Sequence, residues 1–402
     1  MVARLIITTK DRPELVQRAI ESFGQTGLPI TVYDQSEQRP AYTGLEQLVG
    51  PPEVDATIDR LAAKGFDREL LRWALIGGHG GYRNVALLDT VGQIVLSTDD
   101  DTVCEMLTSR PLDNGFRYGA PEFHWRLFES REAWLNSSLD MLRTTDVCAE
   151  HAKYVGQRTQ DGYTFAVVAA GLIGDSASSF NNNFLAAEGE EHSRLISMYD
   201  ELRETREVMQ VASIATMQPG SSFLRTMNYS FDNRVELPPF PPNGRGECAV
   251  FATVLSLVPQ TVVVYLPWAI VHVPPVGRKY ENRFGPLTFD EAFYVIHDLS
   301  GAKSVEELGR ALAALEKMPA AAMHSMMVAT RAAKNEHLRA TVRDKLKKLS
   351  GPPRWHSDCD ELIAQSEVAD QVLPEDSAKQ QHALVMYGRL LLEWPRIRNA
   401  AK

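Results

Sequence analysis

Cysteine is scarce in this chain, and its four copies follow no spacing that would bind a metal or build a disulfide framework. Structural zinc sites need closely spaced Cys or His ligands, and small secreted domains are dense in disulfides. The cysteines are far apart, and none belongs to a C-x-x-C pair: Cys104, Cys148, Cys248 and Cys359. We therefore expect reduced thiols in a cytoplasmic protein, most of them small buried side chains.

The sequence also shows no secretory-leader pattern, no unbroken apolar run of membrane length and no excess of positive charge. Its first nine residues lead directly into a strand pattern. The most apolar stretch, Ala249–Val273, contains Pro259 and Pro267, so it predicts a buried helix and then a buried strand. Basic residues number 42 and acidic residues 52, and the net charge of −10 excludes non-specific binding to a nucleic-acid backbone.

What is present is the composition of a folded protein, with 44% hydrophobic and 23% charged residues. The 402 residues predict two or three lobes, or one large α/β unit with an appendage. The opening predicts a βαβ unit with strands at Ala3–Thr9 and Pro29–Asp34, and with a helix that starts near Pro13 and is capped by Asp11. We expect the two strands to be parallel neighbours.

The αβ alternation continues through the next 70 residues. Helical patterns cover 52–73 and 82–91, and a third strand, Gln93–Thr98, leads into three aspartates at 99–101. Glycine fills most of 77–81, which predicts either backbone amides that approach a pyrophosphate or a flexible loop. The alternation predicts a Rossmann-like α/β fold with a mostly parallel central sheet, whose ligand lies beyond the carboxyl ends of the strands.

The remainder of the chain divides into two regions. Residues 116–287 alternate less regularly and contain Asn-rich and Pro-rich loops, which is typical of excursions around an acceptor site. From residue 288 onward the pattern is helical, with a break at Gly351-Pro352-Pro353. We therefore predict a nucleotide-binding half at 1–115, an acceptor-binding half at 116–287 and a helical C-terminal appendage at 288–402.

The three aspartates after the third predicted strand are candidate metal ligands. In an extended segment, residues two apart point to the same side, so Asp99 and Asp101 would present their carboxylates together while Asp100 faces away. Mg²⁺ and Mn²⁺ bind few protein carboxylates and fill their other positions with water and phosphate oxygens. A solvated acidic turn is the alternative.

Four segments share an order and rough spacing with a known family of enzymes. The segments are Thr8–Pro13, Val32–Ser36, Tyr82–Ala86 and Asp99–Asp101. They resemble the T-x-N-R-P strand end, the V-D-x-S turn, the R-N helix start and the D-x-D motif of nucleotide-sugar glycosyltransferases of the A-type (GT-A) fold, specifically family 2. The resemblance covers about the first 105 residues and is thin beyond them.

The resemblance implies a GT-A fold and a role for each matching position. Thr9 and Asp11 would line the nucleobase, Asp34 would contact the base or the ribose, and Arg83 would lie near the donor. The alternatives are structural: Asp11 as a helix cap, Asp34 as a turn former and Arg83 as a surface cation.

For the aspartates, the resemblance implies nucleotide binding by Asp99 and Asp100, and a Mn²⁺ or Mg²⁺ ion held by Asp99 and Asp101. Similar transferases often place a late histidine on the metal or the pyrophosphate, and His272 fits by position. A histidine that is simply part of the core is the alternative for this apolar strand.

The catalytic base is expected in a second block, Gly246-Glu247-Cys248, which is similar to a glycine-acid-acid segment at a helix start. Here Cys248 replaces the second acid, so Glu247 becomes the nearest carboxylate and Asp232 the reserve. A purely structural reading of Glu247 is its interaction with the helix dipole. Arg278 and Lys279 would neutralise the leaving diphosphate, or are solvated.

The resemblance implies a hexosyltransferase, which transfers a sugar from a nucleoside diphosphate donor. UDP is the favoured nucleotide, and inversion of configuration at the transferred sugar is the favoured outcome. The acceptor is a glycan, a peptide or a small molecule. The alternatives are a nucleotidyltransferase, although the G-x-G-x-R loop of such enzymes is missing after the first strand, and a non-catalytic nucleotide-sugar-binding scaffold.

The helical C-terminal region carries a basic stretch at 331–349. It predicts either docking of an acidic acceptor or partner subunit, or a solvated helix face. The C-terminal helices are also the candidate contact of a homo-oligomer.

Overall fold

The protein is an α/β chain, seen in a computed structural model that describes residues 2–402 except 110–114, 122, 128–140, 176–188, 205–207, 213, 220–227, 243–245, 274–285 and 369. The strands are β1 (Arg4–Thr9), β2 (Ile30–Asp34), β3 (Gln47–Val49), β4 (Ile94–Asp99), β5 (Thr102–Ser109), β6 (Arg117–Tyr118), β7 (Phe123–Leu127), β8 (Met141–Thr144), β9 (Thr164–Asp175), β10 (Val208–Ala212), β11 (Thr216–Gln218), β12 (Asn228–Asp232) and β13 (Thr261–His272). The helices are α1 (Pro13–Gly24), α2 (Pro51–Ala63), α3 (Arg68–Ile76), α4 (Gly78–Asp89), α5 (Val147–Ala152), α6 (Gly189–Ser197), α7 (Tyr199–Glu204), α8 (Glu247–Leu255), α9 (Phe289–Ser300), α10 (Val305–Ala313), α11 (Ala320–Lys348), α12 (Pro353–Val368) and α13 (Pro374–Ala401), and a 3₁₀ turn covers Ala314–Lys317.

The described strands form one mixed sheet in the order β3-β2-β1-β4-β12-β9-β13-β11-β6, and the other four strands pair beside this path. β3, β2, β1 and β4 run parallel. β12 is antiparallel to β4, and β9 and β13 return to the first direction. Six of the nine strands along the path therefore point the same way, which confirms the predicted α/β class with a mostly parallel sheet.

The first βαβ unit forms as predicted because apolar residues alternate along its strand and recur at helical spacing along its helix. Leu5 and Ile7 of β1 pack on one side of the sheet, and Ile6 packs on the other side with residues of α2–α4. The first side is covered by the buried residues of α1: Val16, Ala19, Ile20 and Phe23. Both sides of β1 are therefore buried, as its continuous apolar run predicts.

The order of the strands reverses at β1. β2 and β3 lie on one side of β1, and β4 lies on the other. Thr9 is paired with Asp34 at the end of β2, and Thr8 is paired with Asp99 at the end of β4. Open α/β sheets bind ligands in the crevice that such a reversal leaves at the carboxyl ends of the strands. Three of the predicted site segments therefore meet at the edge where the fold favours a ligand.

Two helical regions differ from the predictions. The 52–73 region is two helices, α2 and α3, separated near Gly65, whose φ of +92° is a left-handed conformation that favours glycine. The glycines at 77–81 are not a flexible loop, because α4 already starts at Gly78. Close packing explains Gly80, since a Cβ at this position would lie 2.0 Å from the carbonyl oxygen of Pro241.

Gly80→Ala is therefore expected to lower the free energy of unfolding by about 3 kcal/mol, at the upper end of the usual cost of overpacking. The clash is with backbone, which cannot move aside as a flexible side chain would. Urea denaturation checks this value. Gly24→Ala is the matched control, because no atom lies within 4 Å of a Cβ at that helix position, and it should be neutral or stabilising by up to about 1 kcal/mol. Equal stability of the two variants would contradict the packing argument.

The C-terminal helices are confirmed, but they are not an appendage. α13 packs into the same hydrophobic cluster as α2, α3 and α4. Its polar groups also hold the chain after β12: Tyr387 donates a hydrogen bond to the Pro239 carbonyl and Trp394 to the Leu237 carbonyl, both at 2.9 Å. The large apolar side chains of α13 are buried in this way, so they are not available for a contact between copies. A homo-oligomer through the other C-terminal helices stays a prediction.

The basic stretch of α11 is partly used inside the chain. Arg339 is buried and pairs with Asp370 at 3.1 Å, and Arg331 is buried and lies 3.7 Å from Glu291. These two cations serve packing of α11 against its neighbours. The docking role predicted for this stretch stays a prediction for its exposed basic residues only.

A buried histidine links the fold to acid stability. His151 of α5 is fully buried against Trp268, with ring centroids 5.2 Å apart, and burial lowers the pKa of His151 to about 3. In the unfolded chain a histidine titrates near 6.5. Between these two values the unfolded state binds the proton and the folded state does not, so the free energy of unfolding falls as the pH decreases from about 6.5, by at most about 1.4 kcal/mol per pH unit.

His151→Phe is expected to flatten that acid dependence, as measured by urea denaturation at pH 7 and pH 4.5. The exposed His382 provides the control, and His382→Phe should keep the wild-type slope. An unchanged slope in His151→Phe would show that other groups cause the loss of stability in acid.

The predictions for the apolar stretch and for the thiols are confirmed. Ala249–Val273 contains most of α8 and all of β13, and no helix of the described residues has both the length and the apolarity to cross a membrane. All four cysteines are free thiols. Burial raises the pKa of Cys104 to about 11 and that of Cys148 to about 12, which makes both thiols unreactive.

Candidate active site

The residues Asp99, Asp100 and Asp101, here called the acid turn, connect β4 to β5. β4 ends at Asp99 and β5 starts at Thr102, so the chain turns where the sequence predicted an extended segment. The Thr102 hydroxyl donates a hydrogen bond to the Asp99 carbonyl at 2.8 Å and closes the turn. The predicted arrangement, with Asp100 facing away from the other two, is corrected: Asp100 and Asp101 share Arg12, and Asp99 faces a different arginine.

That second arginine is Arg83, which joins the acid turn to the start of α8. Its Nη2 donates to Asp99 Oδ1 at 3.0 Å, and its Nη1 donates to Glu247 Oε1 at 2.8 Å. The side chain is only 4% exposed, and its guanidinium lies 5.9 Å from the ring centroid of Phe240. Arg83 is therefore a buried cation between two carboxylates, which replaces the surface role that was the alternative. Among the described residues, no acceptor meets its buried Nε.

Arg12 meets the other two carboxylates of the acid turn. Its Nη1 lies 3.2 Å from Asp100 Oδ1 and 3.7 Å from Asp101 Oδ2. Asp100 is also fixed by the buried hydroxyl of Thr9, which donates to its Oδ2 at 2.7 Å. Thr9 therefore positions the acid turn, a role that the nucleobase assignment did not include.

Asp101 lies against the predicted histidine. His272 Nε2 is 3.3 Å from Asp101 Oδ1, and both side chains are almost fully buried. The Val273 amide donates to the Asp101 carbonyl at 2.6 Å, so the end of β13 is joined to the turn. The structure thus brings His272 and the acid turn together, although 171 positions separate them in the sequence.

Asp34 organises the loop that follows β2 and, through Ser36, the loop that follows β1. Its Oδ1 accepts from the Ser36 amide at 2.8 Å and from the Ser36 hydroxyl, and its Oδ2 accepts from Tyr42 at 2.8 Å. Ser36 Oγ in turn accepts from the Asp11 amide at 2.8 Å. These contacts match the turn-forming role of Asp34, and its carboxylate is buried.

Asp11 is not the helix cap that the sequence predicted. α1 begins at Pro13 with Arg12 at the cap position, and no side chain caps it. Asp11 has a φ of +55° and an exposed side chain at the site edge. A non-glycine residue in this left-handed region costs energy and is held by its surroundings, in this case by Ser36.

The electrostatics of the site favour a cation. Burial raises the pKa of Asp99 to about 7 even though Arg83 lowers it, and the carboxylates of Asp101 and Asp100 add to the rise. Burial, then the Asp101 charge, also raises the pKa of Asp100. Four carboxylates face only two arginines, and the two whose pKa values are raised, Asp99 and Asp100, resist ionisation unless further positive charge is present.

Neither a protein-family model nor a curated protein matches the sequence of this chain. Any functional assignment therefore has to follow from the site itself.

The two candidates for the catalytic base lie at opposite ends of the sheet. Glu247 is in the first turn of α8, after Gly246 with a φ of +81°, and is paired with Arg83. Asp232 is paired with Ile94 at the start of β4, the end far from Asp99, because β12 runs antiparallel to β4. There it accepts hydrogen bonds from Arg234 at 2.7 and 2.9 Å. The reserve role of Asp232 is therefore withdrawn.

One residue that supports the site was not recognised in the sequence. Asn84, next to Arg83, donates to the carbonyls of Ala74 and Phe240 at 3.0 and 2.9 Å and accepts from the Phe240 amide at 2.7 Å. It fixes the segment whose ring covers Arg83. The R-N dipeptide was the available signal, but nothing in the sequence shows that its asparagine binds a segment 156 residues away.

A cavity of about 490 Å³ adjoins the carboxyl ends of β1 and β2. Its lining includes Lys10, Gln35, His79 and Tyr82. Partial desolvation, and then the charge of Arg83, lower the pKa of His79. The buried amide nitrogen of Gln35 has no hydrogen-bond acceptor among the described residues. The cavity therefore offers hydrogen-bond donors, but Glu37 and Asp55 also line it, and no residue of the acid turn belongs to its lining. Arg278 and Lys279 lie outside the described residues.

The acid turn fits a divalent cation bound by few protein ligands. Among the residues that the structure describes, no three His, Cys, Asp or Glu side chains form a ready-made metal centre. The donors present are hard carboxylate oxygens, which suit Mg²⁺ or Mn²⁺, and one imidazole. Asp101 and His272, which lie 3.3 Å apart, would hold such an ion together with phosphate oxygens and water, and a ligand role of Asp99, which faces Arg83, stays a prediction.

Proposed function

We propose that the protein is a metal-dependent glycosyltransferase of the GT-A type that takes a sugar from a nucleoside diphosphate, with UDP as the favoured nucleotide. The observation that carries the proposal is the position of the acid turn, which lies where the strand order reverses between β1 and β4. The family 2 resemblance of four segments supports it, because Thr9, Asp34, Arg83 and Asp99 occupy this one site.

The chemical difficulty of the reaction is the leaving group, on which negative charge develops as the bond to the sugar breaks. A bound Mg²⁺ or Mn²⁺ stabilises that charge as a Lewis acid. The residues of the acid turn supply the anchor for it. Arg83 holds Asp99 and Glu247 in place and keeps one guanidinium donor, its Nε, without an acceptor among the described residues.

We assign nucleotide binding to the cavity at the carboxyl ends of β1 and β2. Lys10, Gln35, His79 and Tyr82 offer donors and an aromatic ring for a base, a ribose or a phosphate. Asp34 and Thr9 act mainly through their hydrogen bonds, which fix Ser36 and Asp100 at the edge of the site.

For an inverting transfer, Glu247 is the proposed base that accepts the proton of the acceptor hydroxyl. Such a base contributes roughly 10²–10⁴ in rate when it lies within hydrogen-bond reach of that proton. Its Oε1 is held by Arg83, and Cys248 Sγ lies 3.5 Å from the same oxygen. Arg83 thus fixes the carboxylate at the start of α8.

Incubation of the purified protein with a panel of UDP-, GDP- and dTDP-sugars and Mn²⁺ tests the proposal. We expect slow hydrolysis of at least one sugar nucleotide, detected as released nucleoside diphosphate. EDTA should abolish this hydrolysis, and added Mn²⁺ should restore it. Exchange of radiolabelled pyrophosphate would indicate the nucleotidyltransferase instead. Binding of a sugar nucleotide without turnover, also in the presence of simple glycoside acceptors, would indicate the scaffold, and activity that survives EDTA would exclude the metal.

A further inference from the structure

Arg12 pairs with two carboxylates of the acid turn and is more exposed than either of them. Like Arg83, it meets two carboxylates, but one nitrogen, Nη1, serves both of them at 3.2 and 3.7 Å. Arg83 uses two nitrogens at 2.8 and 3.0 Å. The side chain of Arg12 is 35% exposed, whereas those of Asp100 and Asp101 are 5% and 3% exposed. The carboxylates are thus fixed in the protein, and the guanidinium reaches them from the solvent side.

The loop before α1 is built to aim this side chain. Asp11 has a φ of +55°, and its amide is held by Ser36, which is held by Asp34. Pro13 then starts the helix, so Arg12 occupies the cap position between a fixed residue and a rigid one. None of these backbone contacts involves the guanidinium of Arg12.

We propose that Arg12 neutralises Asp100 and Asp101 in the free protein and is displaced when a divalent cation and a nucleoside diphosphate bind together. The inference rests on the proposed function. A guanidinium and a divalent ion that share Asp101 repel each other, so each weakens the binding of the other. A bound diphosphate supplies the negative charge toward which Arg12 turns when the ion takes its place at Asp101.

The consequence is positive coupling between the metal and the nucleotide. Because coupling is reciprocal, UDP strengthens Mn²⁺ binding by the same factor by which Mn²⁺ strengthens UDP binding. Arg12→Gln removes the competing cation, so the free protein should bind Mn²⁺ about tenfold more tightly, a typical coupling factor. UDP should then improve Mn²⁺ binding by a smaller factor than in the wild type.

Electron paramagnetic resonance of free Mn²⁺ measures this without turnover. Titrations with and without UDP compare the wild type with Arg12→Gln, Arg12→Lys and Arg39→Gln. Arg12→Lys keeps the positive charge and should keep weak Mn²⁺ binding. This variant therefore shows whether the charge of the side chain, and not the shape of the guanidinium, weakens Mn²⁺ binding. Arg39 pairs with Glu53 at an exposed site, so Arg39→Gln loses the same charge and should bind as the wild type. Thermal melting confirms that each variant is folded.

The outcomes separate the two proposals. Tighter Mn²⁺ binding by Arg12→Gln alone, with a reduced effect of UDP, supports the exchange. Equal or weaker binding by Arg12→Gln overturns it, and the metal-dependent function survives if the wild type binds Mn²⁺ in the presence of UDP. Absence of Mn²⁺ binding in every protein, with and without UDP, overturns both.

Discussion

Arg83→Met should lower the free energy of unfolding by about 3–5 kcal/mol, the usual cost of removing one partner from a buried ion pair. Arg83 is 4% exposed, and its loss leaves the carboxylates of Asp99 and Glu247 without their cation. Methionine keeps an unbranched apolar stem but loses the guanidinium and its contact with Phe240, so the change removes the charge together with its hydrogen bonds. Urea denaturation followed by circular dichroism gives the value.

Two further variants identify the cause of that loss. Arg83→Met combined with Asp99→Asn should recover part of the stability, because one of the two orphaned charges is gone. Arg39→Met breaks an exposed ion pair with Glu53 and should cost less than about 1 kcal/mol. If Arg83→Met is no less stable than Arg39→Met, the ion pairs of Arg83 do not stabilise the folded protein more than an exposed ion pair does.

Asp101→Asn should reduce metal-dependent turnover of a sugar nucleotide by at least about a hundredfold, since a metal ion contributes several kcal/mol to the transition state and each 1.4 kcal/mol is tenfold in rate. The substitution keeps the shape of the side chain but removes the charge that meets Arg12 and His272. Because Asp101 is buried and paired, alanine would disturb the turn more than asparagine does.

The measurement is initial rate against Mn²⁺ concentration, together with Mn²⁺ binding. Asp59→Asn is the matched control, because Asp59 is exposed and pairs only with Arg68 at the surface among the described residues. Full activity of Asp101→Asn at the wild-type Mn²⁺ requirement would remove Asp101 from the metal site. A melting temperature equal to that of Asp59→Asn shows that any loss of activity is not a loss of fold.

Much of the framework was predictable because it depends on local patterns. The apolar alternation of β1, the helical spacing of α1 and the breaks at Gly351-Pro352-Pro353 all acted over a few residues, and each element was found where the pattern placed it. Parallel pairing of β1, β2 and β4 then brought their carboxyl ends to one edge, since parallel strands that are neighbours end together.

The errors arose where distant segments decide the local structure. Asp99–Asp101 looked extended, but pairing of β5 with β13 forces a turn there. Asp232 was placed near the site, but the antiparallel direction of β12 carries it to the opposite end of β4. The glycines at 77–81 suggested a loop, but Gly80 lets the chain near Pro241 approach a helix.

The amino-acid pattern alone determined the α/β class and placed Thr9, Asp34 and Asp99 at one edge, because periodicity and strand ends are properties of adjacent residues, whereas Arg83 was placed there by the family resemblance. Only the folded chain decided which cation each carboxylate meets: Arg83 for Asp99 and Glu247, Arg12 for Asp100 and Asp101. Ion pairing depends on ångström distances between segments far apart in sequence, and those distances are fixed by sheet direction and helix packing.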